Sequence, residues 1–532
     1  MSIEITDEWK RALGVLSQSN SSVFITGKAG TGKSTLLKQY LISLGIHPEL
    51  PLKVPEIAVV APTGIAALNI GRVASTIHRL FRFRPNVTLD DVVKLTDMDM
   101  IVRCKQLRTL IIDEISMVRA DLFDVIEKFL RINGTNHGVP FGGVRLVMIG
   151  DLYQLPPVIR TECIGIFHPE SGYYPGPFFF QAHSFLQLHL TTIELTRVFR
   201  QTDPEFLALL QAVRTNTATD ADLDSINRRV YPHFVPEKET LYVTLTSTRG
   251  RATHINHEML SELGQKTQRR EFVFTGVVDG DFPEMYLPTE RDLRLVEGAQ
   301  VMMLNNDPLG RWVNGTLGHI DYIIEDPKNP GIAVRMEDGS SYDVEPYTWE
   351  LYDLRYNRRA RKLESITIGS FTQFPVMLAW AITIHKSQGR TFSRVILDLG
   401  RRYAFAGGQT YVALSRCRTL EGLVLKRPIA LEDIKVSESA VMFFQIEQAK
   451  TDFPVAERVA LLSHAFRTLS VVHARYLRWT GEQVELVFTL QAEPEARQAS
   501  NGRYSWFVTP REKIQGRRPP LEVVRMLSVE LV

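Results

Sequence analysis

Val23-Phe24-Ile25-Thr26-Gly27-Lys28-Ala29-Gly30-Thr31-Gly32-Lys33-Ser34 carries a strand, a glycine loop and the first residues of a helix in one continuous run. Val23–Ile25 is short and apolar, as a buried strand is. Gly27 to Ser34 then fits G-x-x-x-x-G-K-[ST], and TLLKQYLISL follows as a helix. In that order the glycines let backbone N–H groups curl around phosphate oxygens, and the helix N-terminus adds a favourable dipole. Phosphate contacts are expected from Gly27, Lys28, Ala29, Gly30, Thr31, Gly32 and Thr35. Lys33 should reach the β- and γ-phosphates, and Ser34 should hold Mg²⁺.

A second site lies outward from the first. Leu110-Ile111-Ile112-Asp113-Glu114 is a β run ending in two carboxylates, which puts Asp113 at the strand's C-terminal edge, facing the glycine loop. Asp113 can hold the metal while Glu114 activates the attacking water. A carboxylate–magnesium–phosphate site hydrolysing ATP is the physical reading.

Similar β-branched runs recur at Ile57–Val60, Leu146–Ile149, Leu241–Leu245 and Val395–Leu397, with helical patterns between several of them. Strands alternating with helices indicate an α/β fold with parallel sheets. Two such series suggest two α/β lobes. Between about 255 and 370, short alternating segments separated by Gly, Asn, Asp and Pro read as a small β barrel inserted into the second lobe. The last block, of about 80 residues, begins with a helix (Val455–Thr468) and continues as strands.

Composition bounds the rest. The 532 residues should form about three to five domains. With 44% apolar and 23% charged residues, a disordered, collagen-like or coiled-coil chain is excluded. No run is long and apolar enough to span a membrane, the N-terminus is not a secretory signal, and three scattered cysteines make no disulfide framework. An intracellular, reduced protein is expected. The net charge of +2, from 62 basic and 60 acidic residues, gives no hint of nucleic acid.

The remaining motifs do. Ala61-Pro62-Thr63-Gly64-Ile65-Ala66-Ala67-Leu68-Asn69, Ser75-Thr76-Ile77-His78 and Gly150-Asp151-Leu152-Tyr153-Gln154-Leu155-Pro156-Pro157-Val158 fall in the first lobe. Phe199-Arg200-Gln201, Thr383-Ile384-His385-Lys386-Ser387-Gln388-Gly389-Arg390-Thr391 and Tyr411-Val412-Ala413-Leu414-Ser415-Arg416 fall in the second. In order and spacing the series resembles superfamily-one DNA helicases, and within them the Pif-one family of the 5′-to-3′ branch. The resemblance covers roughly residues 20–430.

The resemblance implies two RecA-like P-loop lobes with a β-rich SH3-like insertion in the second lobe and a small, mostly β C-terminal domain. The boundaries are 1–190 for the first lobe, with a small wedge insertion at about 66–95, and 191–254 with 371–430 for the second. The SH3-like insertion is 255–370, a linker is 431–452, and 453–532 resembles a WYL-type module. It further implies that Gln154 senses the γ-phosphate, that Arg200 and Arg416 reach across as cationic fingers, and that Gln388 and Gly389 border the nucleotide. Pro62, Thr63, Gly64, His78, Thr383, His385 and Lys386 would line the DNA track, with His385 alternatively a packed core residue. The implied partners are single-stranded and duplex DNA and replication or repair proteins, for a protein that is monomeric when free. The implied location is the bacterial cytoplasm, at the nucleoid and not at a membrane.

Some features stay open. Trp9 stands where such helicases usually carry an adenine-binding glutamine, and reads as the core anchor of the first helix. Pro156 and Pro157 either wedge against a base or shape a turn. Arg355, Arg358, Arg359, Arg361 and Lys362 either track phosphates or form a solvated face. Tyr173 to Phe180 is a stacking platform or, more in keeping with such runs, core packing. The tail's arginines and aromatics suit single-stranded nucleic acid or a structural β domain. Rival readings are a RecD-like subunit of a recombination complex and a nucleotide-gated DNA-binding protein without unwinding.

Overall fold

A computed structural model describes residues 5–52, 54–159, 161–167, 173–188, 190–237, 240–326, 330–357, 362–400, 404, 406–452, 462, 465, 471–477, 483–491, 494–498, 504–508, 510, 521–522 and 526–531. The first lobe opens with α1 (Asp7–Gln18), β1 (Ser22–Gly27), α2 (Lys33–Ser43), β2 (Ile57–Ala61), α3 (Gly64–Ile70), β3 (Ala74–Thr76) and α4 (Ile77–Leu80). It continues through α5 (Met98–Gln106), β4 (Thr109–Ile112), α6 (Ala120–Asn133), β5 (Arg145–Ile149) and β6 (Leu190–Leu195). Its six strands form one parallel sheet in the order β3-β2-β4-β5-β1-β6. Helices cover both faces, which is why β1 is buried along its whole length. Successive residues alternate between two cores: Phe24, Ile112 and Met148 enter one, and Val23, Ile25, Ile111 and Val147 the other.

The second lobe begins with α7 (Pro204–Thr215), α8 (Asp220–Asn227), β7 (Val243–Thr246) and α9 (Arg249–Thr267). Between β7 and its sheet neighbour lies a β-rich segment of strands β8 (Phe272–Thr275), β9 (Val277–Gly280), β10 (Asp292–Leu295), β11 (Gln300–Met303) and β12 (Leu317–Ile324). It goes on with β13 (Gly331–Met336), β14 (Ser341–Val344), β15 (Tyr347–Asn357), β16 (Lys362–Gln373) and β17 (Val376–Leu378). These pair antiparallel as β14-β13-β12-β11-β17, β15-β16-β9 and β10-β8. The lobe resumes with β18 (Ala381–Thr383), β19 (Val395–Asp398), α10 (Gln409–Leu414) and β20 (Leu423–Leu425). Its parallel sheet runs β18-β7-β19-β20.

Residues 431–452 include α11 (Glu438–Asp452), whose Ala440 and Phe443 join a core of the first lobe. In the tail, β21 (Val472–Leu477) pairs with β22 (Gln483–Phe488), and residues 526–531 return as a strand along its other edge. Of the helix expected at Val455–Thr468 only Leu462 and Ala465 are described, both helical and buried, and Arg358, Arg359 and Arg361 lie outside the described residues. Arg355 is exposed. The aromatic run is core: Tyr174, Phe178, Phe179 and Phe180 are all at most 7% exposed, whereas Tyr173 is 61% exposed. Among the described residues, no helix is long and apolar enough to cross a membrane.

Candidate active site

β1 delivers the chain to the glycine loop at the C-terminal edge of the first sheet, and α2 leaves it. Gly30 (φ 82°) and Gly32 (φ 79°) adopt left-handed backbone there. Both are also closely approached. A Cβ on Gly30 would lie 2.6 Å from that of Arg200, and one on Gly32 would lie 2.4 Å from Cζ2 of Trp9. Trp9, only 3% exposed, is therefore a wedge under the loop, with Phe199 edge-on at 5.8 Å.

Lys33 Nζ donates to the carbonyls of Gly27 (2.7 Å) and Lys28 (3.0 Å). Folded over its own loop, the ammonium sits on weak neutral acceptors that phosphate oxygens would outcompete. Burial pushes its pKa down, against the attraction of Asp151 and Glu114.

β4 ends at Ile112 and hands over to Asp113, which is 5% exposed. Glu114 turns left-handed (φ 51°, ψ 41°) and donates its N–H to Asp113 Oδ1 at 3.0 Å. Burial raises the pKa of both carboxylates, and Glu114's charge helps push that of Asp113 up to about 7. A buried carboxylate made costly to ionise is a hard oxygen donor that suits a small divalent cation, and Ser34, exposed in the first turn of α2, offers a second such oxygen. Among the described residues no cluster of three metal-ligating side chains occurs.

The second lobe supplies positive charge. Arg416 is 1% exposed, and its hydrogen bonds go to the carbonyls of Val412 (2.9 Å), Ser387 and Arg390 (both 3.4 Å) and the Ser415 hydroxyl (2.8 Å). Burial lowers its pKa to about 10. Arg200 donates to the Ser415 carbonyl at 3.0 Å, and burial, then the charge of Arg416, pushes its pKa well down. Glu114 and Asp151 act on the charge of Arg416, but among the described residues neither guanidinium hydrogen-bonds to a carboxylate that would offset its burial. Gln388 is 8% exposed, with its Nε2 lacking a hydrogen-bond partner among the described residues, and Gly389 (φ 75°) faces Asn69 of the first lobe.

Three contacts at the lobe junction have no counterpart in the motif reading. The Tyr411 hydroxyl accepts the N–H of Ala29 at 2.9 Å. Asp151 accepts Arg214 Nη2, Gln154 Nε2 and the Tyr153 N–H, each at 3.2 Å. Gln201 Nε2 donates to the carbonyls of Ser415 (3.0 Å) and Cys417 (2.9 Å). Arg214 falls in an ordinary amphipathic helix, so nothing in its neighbours along the chain announces it.

The residues assigned to DNA are more dispersed. Thr63 caps α3, its Oγ1 accepting the Ala66 N–H at 3.2 Å, and Thr383 Oγ1 accepts the Lys386 N–H at 3.1 Å. His385 is half-buried, and burial lowers its pKa. A cavity of about 190 Å³ opens between α3–β3–α4 and β15. Of the seven assigned residues only Gly64 borders it, together with Arg72, Arg79, Asn305, Tyr286 and Trp349. Arg72 lies 5.2 Å over the Tyr352 ring and pairs with Glu350. Arg82 (2.8 Å) and Arg103 (2.5 Å) both bind Asp353 of β15.

The sequence pattern of PIF1-like helicases matches residues 6–213. The ATP-dependent DNA helicase Pif1 of Bdellovibrio bacteriovorus is 31% identical over 435 residues, covering 80% of this chain and 88% of that protein. The chain belongs to the PIF1-like helicase family. The human ATP-dependent DNA helicase PIF1 is 34% identical over 411 residues, 76% of this chain, and this chain spans 58% of the human protein's length. Unliganded Pif1 from Bacteroides sp is similar in structure, with a TM-score of 0.71 at 35% identity, covering 85% of this chain and 98% of that one. The Bacteroides protein is also known in complex with ADP-AlF4 (TM-score 0.71, 35% identity, 85% of this chain and 98% of that one) and bound to ssDNA (TM-score 0.58, with the same identity and coverage).

Proposed function

We propose that this PIF1-like chain is an ATP- and Mg²⁺-dependent DNA helicase that translocates 5′ to 3′ on single-stranded DNA and unwinds duplex, forked or G-quadruplex DNA. One observation carries the reading: Arg416, 1% exposed on the second lobe, and Arg200, half-buried between β6 and α7, hydrogen-bond to no carboxylate among the described residues, and the charge of Arg416 acts on Glu114 of the first lobe. A site that assembles desolvated charge of both signs from two bodies is built for a phosphoryl group between them. The Bacteroides relative's complexes with ADP-AlF4 and with ssDNA support it.

In this reading Ser34 and Asp113 hold the cation, which when bound screens charge between the phosphate oxygens. Lys33 leaves its two carbonyls for the β- and γ-phosphates. Glu114, kept basic yet desolvated, takes the proton of the attacking water. Gln154 orients toward the γ-phosphate, while Gln388 and Gly389 border the nucleotide. Arg200 and Arg416 stabilise the charge that builds as the bond breaks, which makes hydrolysis depend on lobe closure. Released and regained closure moves the chain along its strand. Pro62, Thr63, Gly64, His78, Thr383, His385 and Lys386 touch that strand, with Arg72, Arg79 and Trp349 flanking its path.

A RecA-like division belongs to the same proposal, with the first boundary moved from 190 to beyond Leu195 because β6 pairs with β1 in the first sheet. The second lobe takes the rest of 191–254 with 371–430, the insertion is 255–370, and a WYL-like module at 453–532 adds affinity for DNA. We also place the free protein as a monomer in the bacterial cytoplasm, at the nucleoid, with replication or repair proteins as partners. The test is strand displacement with ATP on matched 5′- and 3′-tailed duplexes. Unwinding from the 5′ tail is expected, and unwinding confined to the 3′ tail overturns the polarity.

A further inference from the structure

Arg214 closes α7 of the second lobe, yet its side chain is only 4% exposed and lies against the first lobe. Its Nη2 reaches Asp151 Oδ1 at 3.2 Å, and its guanidinium sits 4.2 Å over the ring of Tyr153. Tyr153 is itself stacked on Phe444 of α11 (5.2 Å, planes at 4°). The other oxygen of Asp151 holds Gln154 Nε2 at 3.2 Å. A second element of the same lobe grips this segment from another side: a Cβ on Gly408 would lie 2.4 Å from the carbonyl oxygens of both Tyr153 and Gln154.

Stability alone does not account for such a pair. Taking a carboxylate and a guanidinium out of water costs about as much as their attraction returns, and well-packed apolar residues often serve as well. Arg214 Nε even remains buried without a hydrogen-bond partner among the described residues. What the pair does supply is direction, because the same carboxylate that binds Arg214 fixes the amide of Gln154.

We propose that Arg214 is a positioning residue for hydrolysis: through Asp151 it sets the orientation of Gln154, so that this amide is aimed only while the second lobe is seated. The inference rests on the reading of Gln154 as the γ-phosphate sensor. Arg214 does not touch substrate in this scheme. It converts the seating of one lobe into the geometry of a group on the other, through an element that both bodies bias.

The experiment is ssDNA-stimulated ATP hydrolysis by the full chain carrying Arg214→Met, Gln154→Ala, or both, with thermal unfolding alongside. Arg214→Met should lower kcat about tenfold while KM for ATP shifts less than about twofold, the mark of an interaction expressed in the transition state. In the Gln154→Ala background the same change should cost less than about twofold, because contacting residues in one network are not additive. Equal losses in both backgrounds, or a lowered melting temperature with kcat unchanged, overturn the proposal. If Gln154→Ala hydrolyses ATP at the wild-type rate, the sensor reading fails and the proposal falls with it. An impaired Gln154→Ala beside an unimpaired Arg214→Met defeats the proposal alone. Should Arg214→Met not fold, Arg214→Lys keeps the charge but not the flat face over Tyr153. It should lose about threefold in kcat, again only where Gln154 is present, and an equal loss without Gln154 overturns the proposal.

Discussion

The hydroxyl of Tyr411 accepts the backbone N–H of Ala29 at 2.9 Å, a buried hydrogen bond from one lobe into the glycine loop of the other. Tyr411→Phe keeps the ring and strands that N–H. Leaving a buried donor unpaired costs about 1–3 kcal/mol. A fall in kcat/KM for ATP of about tenfold is expected, with the melting temperature lowered by a few degrees. Steady-state ATPase and calorimetry check it, and unchanged kinetics would remove Tyr411 from the coupling between lobes.

Glu114→Gln preserves the shape of the turn after β4 and removes the base. The ATP turnover should drop by about 10²–10⁴-fold, the range for general-base loss. Nucleotide binding should survive, measured with a fluorescent ADP analogue, because Lys33 and the glycine loop are untouched. A variant that turns over ATP like the parent sinks the assignment.

Asp353 of β15 binds Arg82 and Arg103 of the first lobe. Burial works to raise its pKa, but the two arginines win and hold it below the ordinary carboxylate value. Its stabilising effect is therefore full above that value and is lost as the pH falls through the lower, folded one. The stability gap between wild type and Asp353→Asn should be flat from pH 8 to about 5, at about 1.5–3 kcal/mol per charged hydrogen bond, and shrink below about 4. Chemical denaturation across pH measures it. A gap that widens in acid contradicts the sign.

Trp9 offers no surface to a nucleobase, being packed under Gly32. Trp9→Gln should therefore destabilise the fold by about 3 kcal/mol or more, the scale of core truncation of a large aromatic. It should not sharpen selectivity for ATP over GTP. A stable variant with a new adenine preference would refute the packing role.

Contiguous chemistry was legible in the sequence. The glycine loop, the strand ending in Asp113-Glu114 and the β-branched runs each lie within a few residues, and the structure puts parallel strands where those runs are. The aromatic run at 173–180 resolved to packing, as its composition favours. What stayed hidden spans long separations or depends on burial. Tyr411 meets Ala29 from 382 residues away, and Arg214 meets Asp151 from 63. No local pattern marks either. Thr63 and Thr383, which stand in motifs, also accept hydrogen bonds from their own turns, a structural role the motifs do not announce. Bulk charge carries no information on partner class, because +2 is an average over 62 basic and 60 acidic residues.

The helix Glu438–Asp452 carries one more consequence. Its Ala440 and Phe443 pack with Phe24, Phe179 and Phe180, so the chain that leaves the first lobe after Leu195 comes home to it. The second lobe is thus slung between two moorings on a single body, like a bucket on its handle, and not hung from one hinge. Any movement between the lobes must therefore bend both connections, and it must also part Asp353 from Arg82 and Arg103. The chain beyond residue 452 thus continues from a helix packed on the first lobe, and not from the lobe that precedes it in sequence.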